Sequence, residues 1–297
     1  MPSIAAENAS DNTVVASSAP AAGFVKGMTG SMRVLAVNVR SGGSRGLADA
    51  LLARCLAHRP DAVVVSEFRD NAVGARLQRG FGDGGLQRQA ATSGHRGNGV
   101  LIAASQPFDS VRNPFGLAGD EYPDAVMLAR FPALQLFGVY LPGQDRKRPH
   151  LRCLIATAQR YNERGIAAMC AGDFNSGRNA TDIEANLGRR RLVDEFSTAD
   201  LYAELERYWT EAWLAKHPEA LEFSWYPFRK EPAAPRRNGW RIDKAFVSPA
   251  LLPHVAAADY DHSFRTAGLT DHSALIVDLA ELPARDSEPA ARAAMPD

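Results

Sequence analysis

The sequence is poor in cysteine, with only Cys55, Cys153 and Cys170 in 297 residues. An odd number with no close pair excludes a disulfide framework, and Cys55 and Cys170 lie in apolar stretches where a reduced thiol packs as a small hydrophobe. A reducing, cytoplasmic setting is therefore expected. Net charge is also missing, 34 basic residues being balanced by 34 acidic ones. Without a global basic field, a nucleic acid would have to be held by local clusters. Candidates are DRKRPH around Arg146, GRRR ending at Arg191, FRK at Arg229 and PRRNGWR running to Arg241. Any one of these could equally be solvated surface. No apolar run approaches the ~20 residues that cross a bilayer, and no basic stretch followed by a compact hydrophobic run opens the chain. Neither membrane anchor nor secretory signal is expected, and nothing implies an obligate protein partner. H-x-x-x-H spacing and Cys/His clusters are absent, which disfavours zinc. A GxSxG elbow and a Gly-rich GKS/T loop are absent too, leaving serine hydrolysis and P-loop nucleotide binding unsupported.

What is present is ordinary soluble composition, 45% hydrophobic and 23% charged, at a length that suits one large domain. Residues 1–31 are rich in Ala, Ser, Asn and Gly without hydrophobic periodicity and read as a flexible leader; Met28 and Met32 leave a later start site open. Residues 281–297 read as a flexible tail. Between them, residues 32–280 are expected to form one domain. Strands are expected at MRVLAVNV, DAVVVSE, GVLIAAS, AVMLARF, LQLFGVYL, IAAMCAGDFN, EFSWYPF, RIDKAFVS and ALIVDL, several of them buried on both faces. Helices are expected over residues 46–58, 148–164, 181–196 and 201–216. Many strands with a few interleaved helices imply sheets covered by helices.

Polar residues recur at the ends of these strands: Asn38, Glu67, Tyr140, Asp173 with Asn175, Asp243, and Asp271 with His272. In MCAGDFNSGRN an apolar run stops on an acid and an amide two residues apart, which share one face of an extended chain. Each residue has a duller reading. Asp173 and Asn175 could cap a turn, Glu67 could start a helix, Tyr140 could be a core ring, Asp243 could pair with Arg241, and His272 could be a satisfied core histidine. As a set they suit metal-assisted hydrolysis of a phosphate ester. A hard cation such as magnesium takes carboxylate oxygens, which suits Glu67. Water must be oriented and deprotonated, which suits Asp173 with Asn175. A His272 held protonated by Asp243 would donate to phosphate oxygens, and Tyr140 could donate its phenol.

With these residues assembled, the chain resembles the endonuclease/exonuclease/phosphatase superfamily. The resemblance runs in order through VLAVNVRSGG, PDAVVVSEFRDN, NGVLIAAS, GVYLPG, AGDFNSG, GWRIDKAFVS and LTDHSALIVDL. It implies an α/β fold, a four-layer α/β sandwich of two mixed sheets packed face to face with helices outside. The segment FSWYPFRKEPAAPRRNGWRID is similar to the one preceding the RID motif in exonuclease III type DNA repair nucleases. That similarity implies magnesium-dependent cleavage of duplex DNA beside abasic sites and from 3′ ends, with manganese as a substitute metal. It further implies Glu67 as principal metal ligand with Asn38 and Asp271 beside it, and Asp173 and Asn175 as activators of water. Tyr140 would contact phosphate, Asp243 would pair with His272, and Trp225, Trp240 and Ile242 would line the pocket for an abasic sugar. Two departures stand out: Arg40 replaces a usual second Asn or Asp, and Val37 a usual Trp. A cation at Arg40 should weaken a second metal position while adding a phosphate contact. The same chemistry on RNA, a phosphoinositide or another small phosphodiester is the alternative; a catalytically inactive binding module is a third.

Overall fold

Short β-branched and apolar runs punctuated by turn residues fold, in the computed structural model, into twelve strands among the described residues, 30–92, 97–227 and 238–282. One sheet has the order β11 (Val255–Asp261), β12 (Ala274–Leu282), β1 (Gly30–Asn38), β2 (Ala62–Phe68), β4 (Gly99–Ala104), β3 (Arg88–Ala91). The other has the order β5 (Asp109–Arg112), β6 (Val126–Arg130), β7 (Gln135–Tyr140), β8 (Ala168–Asp173), β10 (Asp243–Val247), β9 (Thr210–Glu211). Both are mixed: β1 and β2 are parallel, β7 and β8 are parallel, and the remaining pairs are antiparallel.

The layers follow from which faces are apolar. Val34, Val64 and Ile102 of one sheet meet Met127, Leu136 and Met169 of the other in the central core. The outer face of the first sheet is covered by α1 (Ala48–Ala57) and α2 (Ala72–Asp83), through Leu51, Cys55, Leu77 and Phe81. The outer face of the second is covered by α3 (Arg148–Glu163) and α4 (Ala199–Leu205), through Leu151, Leu154, Leu201 and Leu205. Strands covered on both faces need no polar alternation, which is why β4, β8 and β10 are buried from end to end. This is the four-layer α/β sandwich that the resemblance implies.

Several expectations are corrected. Strand β1 starts at Gly30 and β12 ends at Leu282; the rest of the expected leader and tail, with the FRK cluster at Arg229, lies outside the described residues. The helix expected over 181–196 is a short 3-10 turn at Glu184–Asn186 in an irregular loop. Its side chains bond backbone instead of leaving the backbone to itself: Asn186 donates to Asn179 O and Val193 O, both at 2.7 Å, and accepts from Val193 N at 2.8 Å. The expected 201–216 helix breaks into α4 and α5 (Ala212–Lys216), because β9 intervenes to pair with β10. The described residues of EFSWYPF, 222–227, form no strand but a pair of isolated bridges, Trp225 with Trp240 and with His272. Helix α2, capped by the Asn71 side chain on Val73 N and Gly74 N, and strands β3, β5, β9 and β11 were not foreseen.

The suggested Asp243–Arg241 pair is also overturned. Arg241 pairs with Asp182 and Glu211, and Lys244 reaches the same two acids, all four side chains being at most 3% exposed. This quartet ties the 176–196 loop and β9 to β10. Because removing one member strands a buried charge, Asp182→Ala should destabilise the fold by about 3–5 kcal/mol, read as a lower urea midpoint at unchanged slope.

Candidate active site

The topology gathers the polar strand ends at one edge. Asn38, Tyr140 and Asp173 close β1, β7 and β8, and Glu67 is the penultimate residue of β2. Asp243 opens β10 and His272 lies just before β12, strands that run antiparallel to their neighbours β8 and β1. Register places Tyr140 and Asp243 on either side of Asp173.

Local backbone features aim the side chains. The β2–β4 register slips between Ser66 and Phe68, and Glu67 within that bulge has φ +57°. A bulge turns its residue out of the ladder, and the left-handed conformation costs about 1 kcal/mol or more unless held. Here it is held: the Glu67 carboxylate accepts from Asn38 Nδ2 at 3.1 Å, Asn98 Nδ2 at 3.1 Å and Ser41 N. Gly172, with φ +138°, lets the chain before Asp173 pass where a Cβ would lie 2.1 Å from Val139 O. The Ser66 hydroxyl locks the two sheets together there, donating to Val139 O at 2.8 Å and accepting from Asp173 N at 3.2 Å.

Asp173 is buried and accepts from Asn175 N at 2.8 Å, Asn175 Nδ2 at 3.2 Å and Asn38 Nδ2 at 2.9 Å. Asn38 thus bridges the two acids, with its oxygen turned to Arg40 N at 2.8 Å. Burial pushes the Asp173 carboxyl up to about 7; His272 opposes the rise, and Asp243 and Glu67 add to it. His272 Nδ1 lies 2.9 and 3.1 Å from the Asp243 oxygens, and its Nε2 is 4.0 Å from Asp271 Oδ1. Burial alone would lower the imidazole, but Asp243, Asp173 and Asp271 outweigh it and raise it to about 10. These acids favour the imidazolium form of the ring. Partial burial and the Glu67 charge raise the half-buried Tyr140 phenol to about 12, so it stays protonated while Asn98 donates to its oxygen at 3.3 Å.

Glu67, Asp173 and His272 each bring a ligand-type atom within 4.8 Å of the others. Two carboxylates this close, with Asp243 beside them, leave an excess of negative charge whose oxygen chemistry fits a hard divalent cation. The carboxylates of Glu67 and Asp173 could offer oxygens there, and Asp271 Oδ1 lies by the imidazole nitrogen that does not face Asp243, at 4.0 Å. Asp271 is oriented by Trp225 Nε1 at 3.2 Å. Trp225 and Trp240 lie with ring centroids 5.0 Å apart, half-buried, over a buried Ile242. Among the described residues, the buried Trp240 indole nitrogen has no hydrogen-bond partner. Arg40 is exposed at the rim with φ +54°.

The structure thus brings together Asn38, Glu67, Tyr140, Asp173, Asn175, Asp243, Asp271 and His272, and sets the Trp pair against His272, at 6.4 Å from Trp225. Sequence reasoning missed Asn98, which bonds both Glu67 and Tyr140, and Thr270, whose hydroxyl donates to Asn38 O at 2.8 Å. An amide directly before the apolar run GVLIAA was the available signal for Asn98.

The model of the Endonuclease/Exonuclease/phosphatase family matches residues 35–272. No curated protein sequence matches. Among solved structures, an AP endonuclease from Archaeoglobus fulgidus is similar at 19% identity and a TM-score of 0.65, covering 83% of this chain and 98% of that one. The 3′ phosphatase NExo from Neisseria, bound to a product DNA hairpin, is similar at 18% identity and a TM-score of 0.66, over 84% and 99%. The AP endonuclease LMAP from Leishmania major is similar at 16% identity and a TM-score of 0.65, over 84% and 88%. At these identities the likeness is one of fold, and the family match spans most of the sequence. The chain belongs to the endonuclease/exonuclease/phosphatase family and is a hydrolase acting on phosphate ester bonds.

Proposed function

We propose that the protein is a magnesium-dependent DNA phosphodiesterase of exonuclease III type, cutting beside abasic sites and removing nucleotides from 3′ ends. The observation that carries this reading is the convergence of Glu67, Asp173 and His272 within 4.8 Å beside an open cleft. That cleft, about 760 Å³, is lined by Arg69, Asn98, Tyr122, Tyr140 and Arg146. It supplies, in a chain of zero net charge, the local basic rim a polyanion needs. The similar solved structures include AP endonucleases and one bound to DNA, which favours DNA over a small ester.

A divalent cation held by Glu67, with manganese able to replace magnesium, would polarise the phosphate oxygens and neutralise charge there, leaving Asp173 free to act on water. The residues do the rest. Asn175 commits its amide hydrogens to Asp173 and to Leu141 O at 2.9 Å, leaving its oxygen to orient a water. Asp173 takes the water's proton as oxygen attacks phosphorus, and the 3′ oxygen of the upstream sugar leaves. The imidazolium of His272 and the phenol of Tyr140 donate to phosphate oxygens as charge grows on them. Arg40 adds a phosphate contact, and the slot of Trp225 and Trp240, floored by Ile242, receives a flipped sugar that lacks its base.

The test is hydrolysis of an abasic-site duplex, a duplex with a recessed 3′ end, single-stranded RNA and bis-p-nitrophenyl phosphate, each with magnesium and with chelator. We expect the two duplexes to be cut only with magnesium, and their KM to rise steeply with salt, at a log–log slope of about 0.9 for each DNA phosphate that the protein neutralises. Preference for RNA or the small ester, or indifference to salt, would overturn the assignment of substrate.

A further inference from the structure

DRKRPH reads in the sequence as a solvated charge run, yet its Lys147 is only 1% exposed. It is the last residue of a 3-10 turn, Gln144–Lys147, that leads directly into α3. Three things make this a costly place for an ammonium group. The group is removed from water. It stands at the positive end of a helix 16 residues long. Its chain neighbours Arg146 and Arg148 are cations, and burial with the field of Arg146 lowers its pKa against the pull of Asp173 and Asp145, to about 8.

What the lysine gains is a hydrogen bond at the back of the catalytic turn. Its Nζ donates to Asn175 O at 2.5 Å. Asn175 has φ +46°, a left-handed conformation that a non-glycine residue keeps only when its surroundings hold it. That conformation lets Asn175 reach Asp173 with both its backbone N–H and its side-chain amide.

We propose that Lys147 is a positioning residue, which clamps the Asn175 carbonyl from behind and so fixes the Asn175 amide against Asp173. It acts through its N–H donor and not through its charge, and touches neither substrate nor cation. The inference rests on the proposed role of Asp173 and Asn175 in orienting water.

The experiment compares Lys147→Met, which keeps the apolar stem and loses the donor, with Lys147→Gln, which is uncharged and keeps one. Each is assayed on the abasic-site duplex and on bis-p-nitrophenyl phosphate with magnesium. Lys147→Met should lower kcat about 10- to 100-fold on every substrate that wild type cleaves, with KM within twofold, whereas Lys147→Gln should stay within about threefold of wild type. In the protein with chelator, the Asn175 side-chain amide resonances should shift in Lys147→Met and stay in place in Lys147→Gln. Full activity in Lys147→Met, equal losses in the two variants, a change confined to KM, or failure of both variants to fold would each overturn the proposal. Wild-type protein inactive on every substrate would instead sink the functional reading on which it rests.

Discussion

Asp173→Asn should lower kcat by about a thousandfold at saturating magnesium, within the range that general-base catalysis contributes, while the protein stays folded. The carboxylate is the common acceptor of Asn175 N, Asn175 Nδ2 and Asn38 Nδ2. An amide at this position keeps one acceptor and turns its own N–H groups toward donors, so the base is lost and the frame around it loosens. Glu67→Gln should fail differently. Its carboxylate is the more accessible oxygen source, so the magnesium concentration needed for half-maximal rate should rise well before the saturated rate falls. A magnesium titration of both variants separates the two roles. Because burial and the Asp243 and Glu67 charges raise Asp173 to about 7, the wild-type rate should fall below roughly neutral pH, as the base takes a proton. An Asp173→Asn variant with more than a tenth of the wild-type rate would remove the water-activating role.

Most of the site was legible because its residues interrupt something regular. Asn38, Tyr140 and Asp173 each stop an apolar run, and Glu67 nearly so, so the eye of a period-two reading lands on them. Asp243 and His272 stand where their runs open, and the same reading of strand ends reached them. Asn98 also opens a run, in a segment with no further polar signal, and it escaped. Lys147 escaped for the opposite reason: a lysine among arginines reads as solvent-facing, and nothing local states that it folds inward onto Asn175 O. The 181–196 loop shows the same limit. Its apolar spacing is helical, but Asp182 is drawn to Lys244 and Arg241, some sixty residues away, and Asn186 satisfies loop backbone. Helix α2 was hidden by three glycines in twelve residues, a composition against helix that packing on Phe68 and its neighbours overrides. Pattern reports local preference, whereas these contacts are long-range.

His272→Asn should lower kcat about a hundredfold or more, as loss of a preorganised donor to a developing phosphate charge does, and the same pair should leave a mark on stability. The imidazolium exists because Asp243 holds Nδ1 from 2.9 Å, with Asp173 and Asp271 nearby, against the cost of burial. A histidine raised from 6.5 to about 10 on folding binds its proton more tightly in the folded chain. Its contribution is therefore complete below pH 6.5 and is lost progressively as pH climbs to about 10. Relative to the double variant Asp243→Asn/His272→Asn, wild-type protein in chelator should lose on the order of 3 kcal/mol across that window, measured by urea denaturation at pH 6 and pH 10. Parallel profiles would mean that the ring is neutral when folded. It could then accept a hydrogen bond or bind a cation but could not neutralise phosphate charge, and the donor role would pass to Tyr140, which stays protonated throughout because Glu67 and burial hold it near 12.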